Sequence, residues 1–397
     1  MILRQQLPVH SPVTLQGIWK AVQALWSASD VQAGLTSLLA QEFAAERPVL
    51  FANGTQALQV ALRLAIRQTE DSPVALPAFT CFDVGAAAVG ARARIRLYDL
   101  DPNTLGPDLD SLARVLQQGV RVAVMAPLYG FPVDWGSIEP VLARYGAVAI
   151  EDAAQGYQAR WRGRLVGSCG RMSVLSFGRG KGWTGGTGGA LLLRGAGTRH
   201  LLESLALERQ GQADELRVVF LLTALWLFGR PGLYAVPAAV PWLGLGETVY
   251  REPTPPRLMT RAASACLAAL QGAAAREAAT RRENGQMMMA AIRPETKVQT
   301  IRIHPDAEPG FLRLPVRLPR GFAGFENPQR ALRLGILPSY PSVLGVLPQV
   351  RACMDGALDH WPGGEELSRT LFTIPTHSLL TEQERRDAVR MLLGYRV

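Results

Sequence analysis

The architecture of this chain is specified by one segment, Val49-Leu-Phe-Ala-Asn-Gly-Thr-Gln-Ala-Leu-Gln-Val-Ala-Leu-Arg-Leu-Ala-Ile66. Its first four residues are apolar and predict a short strand, Asn-Gly-Thr predicts a tight turn, and the rest predicts a helix. The same alternation of short apolar strands and helices continues to about residue 193. This pattern predicts an α/β protein with a mainly parallel central sheet flanked by helices.

The strands of this sheet can be placed individually from their apolar runs. We predict them at residues 49–52, 74–77, 96–100, 122–126, 147–150, 173–177 and 189–193. In parallel sheets, ligands gather where loops leave the carboxyl ends of strands. We therefore expect the loops that follow these strands to form one crevice.

The remaining sequence predicts a second, smaller unit. Residues 194 to about 290 are expected to be mainly helical. Strands near 298–304 and 311–317 and helices near 326–335 and 382–394 are expected after them. We assign residues 1–250 to a large domain and residues 251–397 to a small C-terminal α+β domain. The large domain contains an apolar insertion at about 218–246, which is interrupted by prolines and is therefore not expected to cross a membrane.

Composition narrows the possible partners and compartment. The chain has 397 residues with 48% hydrophobic and 19% charged, and its net charge of +9 reflects 42 basic against 33 acidic residues. The arginines are scattered, so no nucleic-acid partner is expected. The four cysteines show no metal-ligand spacing, and the N-terminus lacks the apolar core of a signal peptide. These features favour a cytoplasmic protein without a metal site.

Lys181 is one of only three lysines in this arginine-rich chain, and it lies in a glycine-rich segment that we expect to be a flexible loop. Arginine cannot replace lysine where an amine must lose its proton and attack a carbonyl, because the guanidinium stays charged. Lys181 is therefore a candidate Schiff-base nucleophile. Taken alone, the residue is better explained as a solvated surface lysine beside glycines that turn the chain.

Further polar residues follow other predicted strands. Asp152 follows the strand at 147–150 and could pair with a protonated ring nitrogen, with Gln155 nearby. Gly54 and Thr55 lie at a helix N-terminus, which favours a phosphate, and Ser176 could add a hydroxyl. Each of these residues also has an ordinary structural use, such as helix capping. Together with Lys181 they form the set of groups that pyridoxal phosphate (PLP) requires.

At these positions the chain resembles the DegT/DnrJ/EryC1/StrS family of PLP-dependent sugar aminotransferases, which have the aspartate aminotransferase fold type I. The matching motifs are Asn53-Gly-Thr-Gln-Ala-Leu58, Pro77-Ala-Phe-Thr80, Asp99-Leu-Asp-Pro-Asn-Thr104, Glu151-Asp-Ala-Ala-Gln155, Gly163-Arg-Leu-Val-Gly167 and Ser176-Phe-Gly-Arg-Gly-Lys181. Several separated motifs are more specific than any single one. The resemblance implies a PLP-dependent transferase fold type I.

The resemblance also implies a role for each candidate residue. Lys181 would form the Schiff base with PLP, Asp152 would pair with the pyridine nitrogen, and Gln155 would lie near the ring hydroxyl. The phosphate would be held by Gly54, Thr55, Gln56 and Ser176. Family members commonly stack an aromatic side chain on the ring just after Pro-x-x-Thr. Cys81 occupies that position here, so either Phe82 takes over the stacking or the ring is covered differently.

The function implied by the resemblance is transfer of an amino group from an amino acid, expected to be glutamate, to a keto-sugar, expected to be nucleotide-linked. A homodimer is expected. Departures at Cys81, Pro127 and 218–246 leave open a PLP enzyme of the same fold that acts on a non-sugar ketone. A catalytically idle or membrane-associated family member is the other alternative. For the 218–246 segment, a buried helix, a dimer contact or a channel wall is favoured over peripheral membrane contact.

Overall fold

The fold is taken from a computed structural model, which describes residues 4–27, 30–195, 207–238, 240, 248–293, 295–356 and 360–396. The strands, in chain order, are β1 (Arg47–Phe51), β2 (Val74–Pro77), β3 (Ile95–Tyr98), β4 (Val122–Met125), β5 (Val148–Asp152), β6 (Arg160–Trp161), β7 (Arg164–Leu165), β8 (Met172–Ser176), β9 (Gly189–Leu193), β10 (Gln299–Thr300), β11 (Ala307–Glu308), β12 (Leu314–Arg317), β13 (Leu337–Pro338) and β14 (Leu371–Ile374).

The helices surround the strands. In chain order they are α1 (Leu15–Trp26), α2 (Val31–Glu42), α3 (Gly54–Gln68), α4 (Phe82–Ala91), α5 (Leu109–Gln117), α6 (Trp135–Arg144), α7 (Gln212–Phe228), α8 (Ala235–Ala238), α9 (Arg261–Ala291), α10 (Pro328–Arg333), α11 (Pro348–Arg351), α12 (Pro362–Thr370) and α13 (Glu382–Leu393).

A seven-stranded sheet forms the centre of the molecule, in the order β1-β9-β8-β5-β4-β2-β3. The pairs from β8 to β3 are parallel, and β9 is antiparallel to both of its neighbours. All of the strands predicted for this sheet are present, with small shifts at their ends. The mainly parallel sheet flanked by helices is therefore confirmed, and the carboxyl ends of β2, β4, β5 and β8 lie at the same edge.

A second, antiparallel sheet lies in the C-terminal part, in the order β10-β12-β14-β13. Strands β10 and β12 of this sheet are shorter than the strands predicted at 298–304 and 311–317. Strand β10 ends early because the Arg302 amide donates to the Asn103 carbonyl instead of a neighbouring strand (2.7 Å). Strand β12 begins late because Phe311 adopts a left-handed backbone with φ of 46°. The proposed domain boundary at residue 250 stays a prediction.

The predicted helical stretch from 194 to 290 contains α7, α8 and the long helix α9. Residues 196–206, 239 and 241–247 lie outside the described residues, and so does part of the predicted insertion at 218–246. Among the helices that the structure describes, none combines the length and the apolar character needed to cross a bilayer.

Asp99 links the central sheet to helix α12. It follows β3 and is buried, and its carboxylate accepts hydrogen bonds from the amides of Gly363 (2.8 Å) and Gly364 (2.7 Å) at the first turn of α12. A third bond comes from the Leu100 amide (2.9 Å). A carboxylate is favoured at a helix N-terminus because the free amides and the helix dipole both attract it. Asp99 thus attaches α12 to the central sheet.

We expect Asp99→Ala to lower the free energy of unfolding by about 3 kcal/mol, because it leaves buried amides of α12 without their charged acceptor. Urea unfolding followed by circular dichroism measures this loss. Asp110→Ala is the matched control, since Asp110 is exposed in the first turn of α5 and its removal should cost less than about 1 kcal/mol. Equal losses in the two variants would contradict the assigned role of Asp99.

Candidate active site

Six of the residues predicted from the sequence line one cavity at the carboxyl edge of the central sheet. They are Gly54, Thr55, Asp152, Gln155, Ser176 and Lys181. These residues come from the segments that follow β1, β5 and β8. The predicted convergence of separate loops on one crevice is therefore observed for these residues, while their individual roles stay predictions.

The turn before α3 packs tightly against the end of β8. Asn53 caps the helix, its Oδ1 accepting from the Gln56 amide at 2.9 Å. A Cβ on Gly54 would lie 2.7 Å from Ser176 Cβ, and a Cβ on Gly189 would lie 2.5 Å from the Asn53 carbonyl carbon. Glycine is required at both positions because any larger residue would push these segments apart.

This packing creates a set of donors for an anion. The first amides of α3 have no partner within the helix, and the helix dipole adds a partial positive charge there. The hydroxyls of Thr55 and Ser176 border the same cavity. Amides and hydroxyls that converge at a helix N-terminus are typical of phosphate sites.

Asp152 ends β5 and places its carboxylate in the cavity, where Oδ1 accepts from the Ala154 amide (3.1 Å). Burial raises the pKa of Asp152, and the positive charge of Lys181 opposes this rise. The adjacent Glu151 points elsewhere and accepts from the Ser173 hydroxyl (3.0 Å). A second cationic group in the cavity would further stabilise the Asp152 carboxylate.

The lysine segment between β8 and β9 is anchored, in contrast to the flexible loop expected from its glycines. The buried indole of Trp183 donates to the Leu267 carbonyl (3.0 Å), and the Thr184 hydroxyl donates to the Phe177 carbonyl (2.9 Å). The Lys181 carbonyl accepts from the Ser11 hydroxyl at 3.0 Å. The backbone around Lys181 is thus fixed by these hydrogen bonds, while Lys181 lines the cavity.

Ser11 is itself fixed, because it belongs to an extended N-terminal segment whose carbonyls bind buried side chains. His377 Nε2 donates to Leu7 (3.0 Å), Arg313 donates to Pro8 and Arg281 donates to His10. Burial lowers the pKa of His377 to about 3, so this imidazole is neutral at physiological pH. The segment therefore forms a firm support for the backbone of Lys181.

Gln155 is oriented by two tyrosines. Its Oε1 accepts from the Tyr129 amide (2.8 Å), and its Nε2 donates to the Tyr340 hydroxyl (2.5 Å). Tyr129 has a left-handed backbone with φ of 56°, and its hydroxyl bonds to Ser339. The Tyr129 and Tyr340 rings stack with centroids 6.2 Å apart. Gln155 is thus a fixed polar group beside the cavity.

The structure does not bring two predicted residues to this cavity. Gln56 is occupied elsewhere, because its Nε2 donates to Thr254 Oγ1 (2.9 Å) and its Oε1 accepts from the Arg257 amide (2.9 Å). Its own amide is bound by the Asn53 cap. Phe82 starts α4 and packs in the hydrophobic core, so the predicted stacking role is not supported by its position.

Sequence reasoning assigned no role to several residues that the structure places at the site. Thr80, Cys81 and Asp83 line the cavity, and Tyr340 holds Gln155. The signal for the first three was their position after β2, a strand whose carboxyl end reaches the site. Burial, and then the negative charge of Asp83, raise the pKa of Cys81 to about 12.

Comparison with known sequences gives matches to part of the chain. The sequence model described as the DegT/DnrJ/EryC1/StrS aminotransferase family matches residues 32–217. The L-glutamine:2-deoxy-scyllo-inosose aminotransferase of Streptoalloteichus tenebrarius is 31% identical over 187 residues, which cover 45% of this chain and 44% of the relative. The 3-amino-5-hydroxybenzoate synthase of Amycolatopsis mediterranei is 31% identical over 156 residues, 38% of this chain and 40% of the relative. The chain thus spans less than half the length of these relatives.

Comparison with solved structures covers the whole fold. The sugar aminotransferase CalS13 from Micromonospora echinospora aligns with a TM-score of 0.75 and 21% sequence identity, over 99% of this chain and 100% of that one. At this identity the likeness establishes the fold, and it confirms the expected fold type I.

The contact between Ser11 and Lys181 can be tested through backbone exchange. We expect Ser11→Ala to speed amide hydrogen exchange in residues 178–188 about fivefold, because it removes a hydrogen bond worth about 1 kcal/mol. Hydrogen–deuterium exchange with mass spectrometry measures the rate. Ser368→Ala is the matched control, since it removes a hydroxyl-to-carbonyl bond (2.8 Å) within α12. Unchanged exchange in the lysine segment of Ser11→Ala would refute the anchoring role.

The environment of Cys81 predicts an unusual pH dependence. Because only the thiolate is alkylated, a pKa of about 12 should make Cys81 react about a thousandfold more slowly than an unperturbed thiol at pH 8. Its rate should still rise above pH 10, where glutathione has levelled off. Asp83→Asn should speed the reaction, because it removes a charge that raises this pKa.

Iodoacetamide labelling, quantified on the peptide that contains Cys81, measures these rates with glutathione as the reference. A slow reaction whose rate levels off near pH 9 would indicate simple shielding, and it would contradict the raised pKa.

Proposed function

We propose that the chain is a PLP-dependent aminotransferase that acts on a keto-sugar, and the match of residues 32–217 to the DegT/DnrJ/EryC1/StrS aminotransferase family model supports this assignment. One observation carries the proposal. One cavity is lined by Lys181, Asp152, Thr55 and Ser176, which come from separate segments. The hydroxyls of Thr55 and Ser176 can donate hydrogen bonds to a phosphate.

The groups around the cavity fit PLP one by one. Lys181 supplies an amine for the aldehyde, and Asp152 supplies a carboxylate for the ring nitrogen. Thr55, Ser176 and the first amides of α3 suit the phosphate, and the close contact of Gly54 with Ser176 brings these donors together. When bound, PLP supplies a ring that accepts the negative charge developing at the substrate carbon.

The protein's own groups would then act on protons and charge. The amine Nζ of Lys181 would attach the cofactor and, once displaced by the amino donor, would take up and return a proton at the reacting carbon. Asp152 would keep a ring nitrogen protonated, since an opposite charge close by favours both charged forms. The hydrogen bonds of the Lys181 carbonyl and of Trp183 fix the backbone from which this amine would act.

Gln155 and the tyrosines form one wall of the site. Gln155 retains the fixed orientation set by Tyr129 and Tyr340, which suits a hydrogen bond to a ring substituent. Burial raises the pKa of Tyr129 to about 12, so its hydroxyl stays protonated and neutral. The tyrosines therefore add no charge to the cavity, whose lining carboxyl groups are those of Asp152 and Asp83.

The substrates are proposed from the family resemblance and from the relatives. The resemblance favours a nucleotide-linked keto-sugar with glutamate as donor, and the net charge of +9 suits an anionic substrate. The first relative is named for glutamine and 2-deoxy-scyllo-inosose. Glutamine as the amino donor and keto-cyclitols that carry no nucleotide are therefore further candidate substrates. We further propose a homodimer that works in the cytoplasm.

A second candidate is a PLP enzyme that acts on a non-sugar ketone. The match to a 3-amino-5-hydroxybenzoate synthase favours it, since that relative is not named for a sugar. Cys81, found where relatives stack an aromatic side chain, lines the cavity and changes the surface that a substrate meets.

The cofactor assignment predicts that purified protein supplied with PLP develops an absorbance band at about 400–430 nm. Borohydride should remove the band and leave a covalent pyridoxyl group on Lys181, identified by peptide mass spectrometry. Lys181→Ala should lose both signals, because no amine remains to attach the cofactor. Lys297→Ala should keep both, since Lys297 is exposed and does not line the cavity.

Absence of the band and of the pyridoxyl group in the wild type would refute the enzyme proposal. Substrate class is then decided by single turnovers with glutamate or glutamine against nucleotide-linked keto-sugars, keto-cyclitols and non-sugar ketones. Turnover with non-sugar ketones alone would overturn the keto-sugar proposal and leave the cofactor assignment standing.

A further inference from the structure

Helix α1 carries an exposed apolar stripe. Leu15, Trp19 and Trp26 are spaced four and seven residues apart, which places them on the same side of a helix. Trp19 is 60% exposed and Trp26 is 76% exposed. The opposite side of α1, which includes Ala21 and Ala24, is buried. The stripe therefore faces away from the protein interior.

Helix α7 repeats this arrangement beside α1, against which it packs. Leu216, Phe220 and Leu227 have the same spacing of four and seven residues, and Phe220 is 76% exposed. Val218 and Leu222 form the buried side of α7. We call the six exposed side chains on the two helices the α1–α7 face. Large apolar patches of this kind mark contact surfaces, because leaving them in water is unfavourable.

Basic residues accompany this face. Lys20 on α1, Arg217 on α7 and Arg230 just beyond α7 are exposed, and the Arg230 guanidinium lies over the Trp226 ring at 4.7 Å. The acidic residues at the start of α7 are engaged by the protein itself. Asp214 pairs with Arg257 (3.1 Å), and Glu215 accepts from the Arg261 and Ala262 amides (2.8 Å each). The face thus combines apolar groups with positive charge.

We propose that the α1–α7 face seats this protein on an anionic membrane surface as a peripheral protein. Tryptophan and phenylalanine side chains insert at the boundary between headgroups and acyl chains, and nearby Lys and Arg attract anionic headgroups. This attachment goes beyond the proposed amino transfer and does not depend on it. The α1–α7 face would bring the enzyme to substrates carried on, or used at, a membrane.

The charges favour lipid over a second copy of the chain. In a symmetric dimer built on this face, the same patch would meet itself. Each copy would then bring a face flanked by Lys20, Arg217 and Arg230 against a second face of the same positive charge, which is unfavourable. An anionic bilayer instead complements both the apolar and the basic groups.

Flotation with vesicles tests the proposal on the full chain. Wild type should float with vesicles of phosphatidylcholine and phosphatidylglycerol, bind pure phosphatidylcholine much less, and bind less at high salt. Replacing Trp19, Trp26 and Phe220 together by Ser should weaken binding at least about tenfold. Met287→Ser is the control, because Met287 is half-exposed on the distant end of α9 and outside the face. The charge variant Lys20→Glu/Arg217→Glu should also float less.

Two results would overturn the proposal. The first is that wild type remains at the bottom of the gradient with anionic vesicles. Alternatively, light scattering could show an oligomer that the triple Ser variant dissociates, which would make the face a contact between copies. Because circular dichroism and PLP labelling of Lys181 are followed in the same samples, loss of membrane binding is separated from misfolding and from failure of the enzyme proposal.

Discussion

The N-terminus of α3 approaches the end of β8 so closely that position 54 has no room for a side chain. A Cβ on Gly54 would lie 2.7 Å from Ser176 Cβ. This contact brings the amide-rich end of a helix beside the strand that leads into the lysine segment. The cavity depends on this contact, because a wider separation would move the amides and hydroxyls that can bind an anion away from Lys181. The antiparallel strand β9 completes the arrangement, since Gly189 at its start packs against the Asn53 carbonyl.

Two neighbouring carboxylates show how strand geometry decides which side chain reaches the cavity. Glu151 and Asp152 are consecutive in β5, so their side chains point to opposite faces. Glu151 is fully buried and binds the Cys169 amide and the Ser173 hydroxyl, both at 3.0 Å. Asp152 instead reaches the cavity and the charge of Lys181. Burial raises the pKa of both carboxyls, but only Asp152 lies where an incoming cation would reverse that effect.

The fold and much of the site could be predicted because they follow local rules. Apolar runs between turns locate the strands, and parallel strands place their following loops at one edge. Contacts between segments that are distant in sequence lie beyond such local rules. Gln56 faces Thr254 and Arg257, about two hundred positions away in sequence, and no local pattern indicates this. The role of Ser11 in holding the Lys181 carbonyl is equally non-local.

Helix α7 shows a different limit of sequence reasoning. Its run from Val218 to Phe228 is apolar on every side, so periodicity could not separate a buried helix from a contact surface. The structure shows that one side of α7 is buried and the other is exposed. Leu222 packs 3.3 Å from where a Cβ of Gly186 would lie, behind the lysine segment, while Phe220 faces outward. Because one side of α7 supports the site and the other remains exposed, the outer side chains can change without altering the cavity.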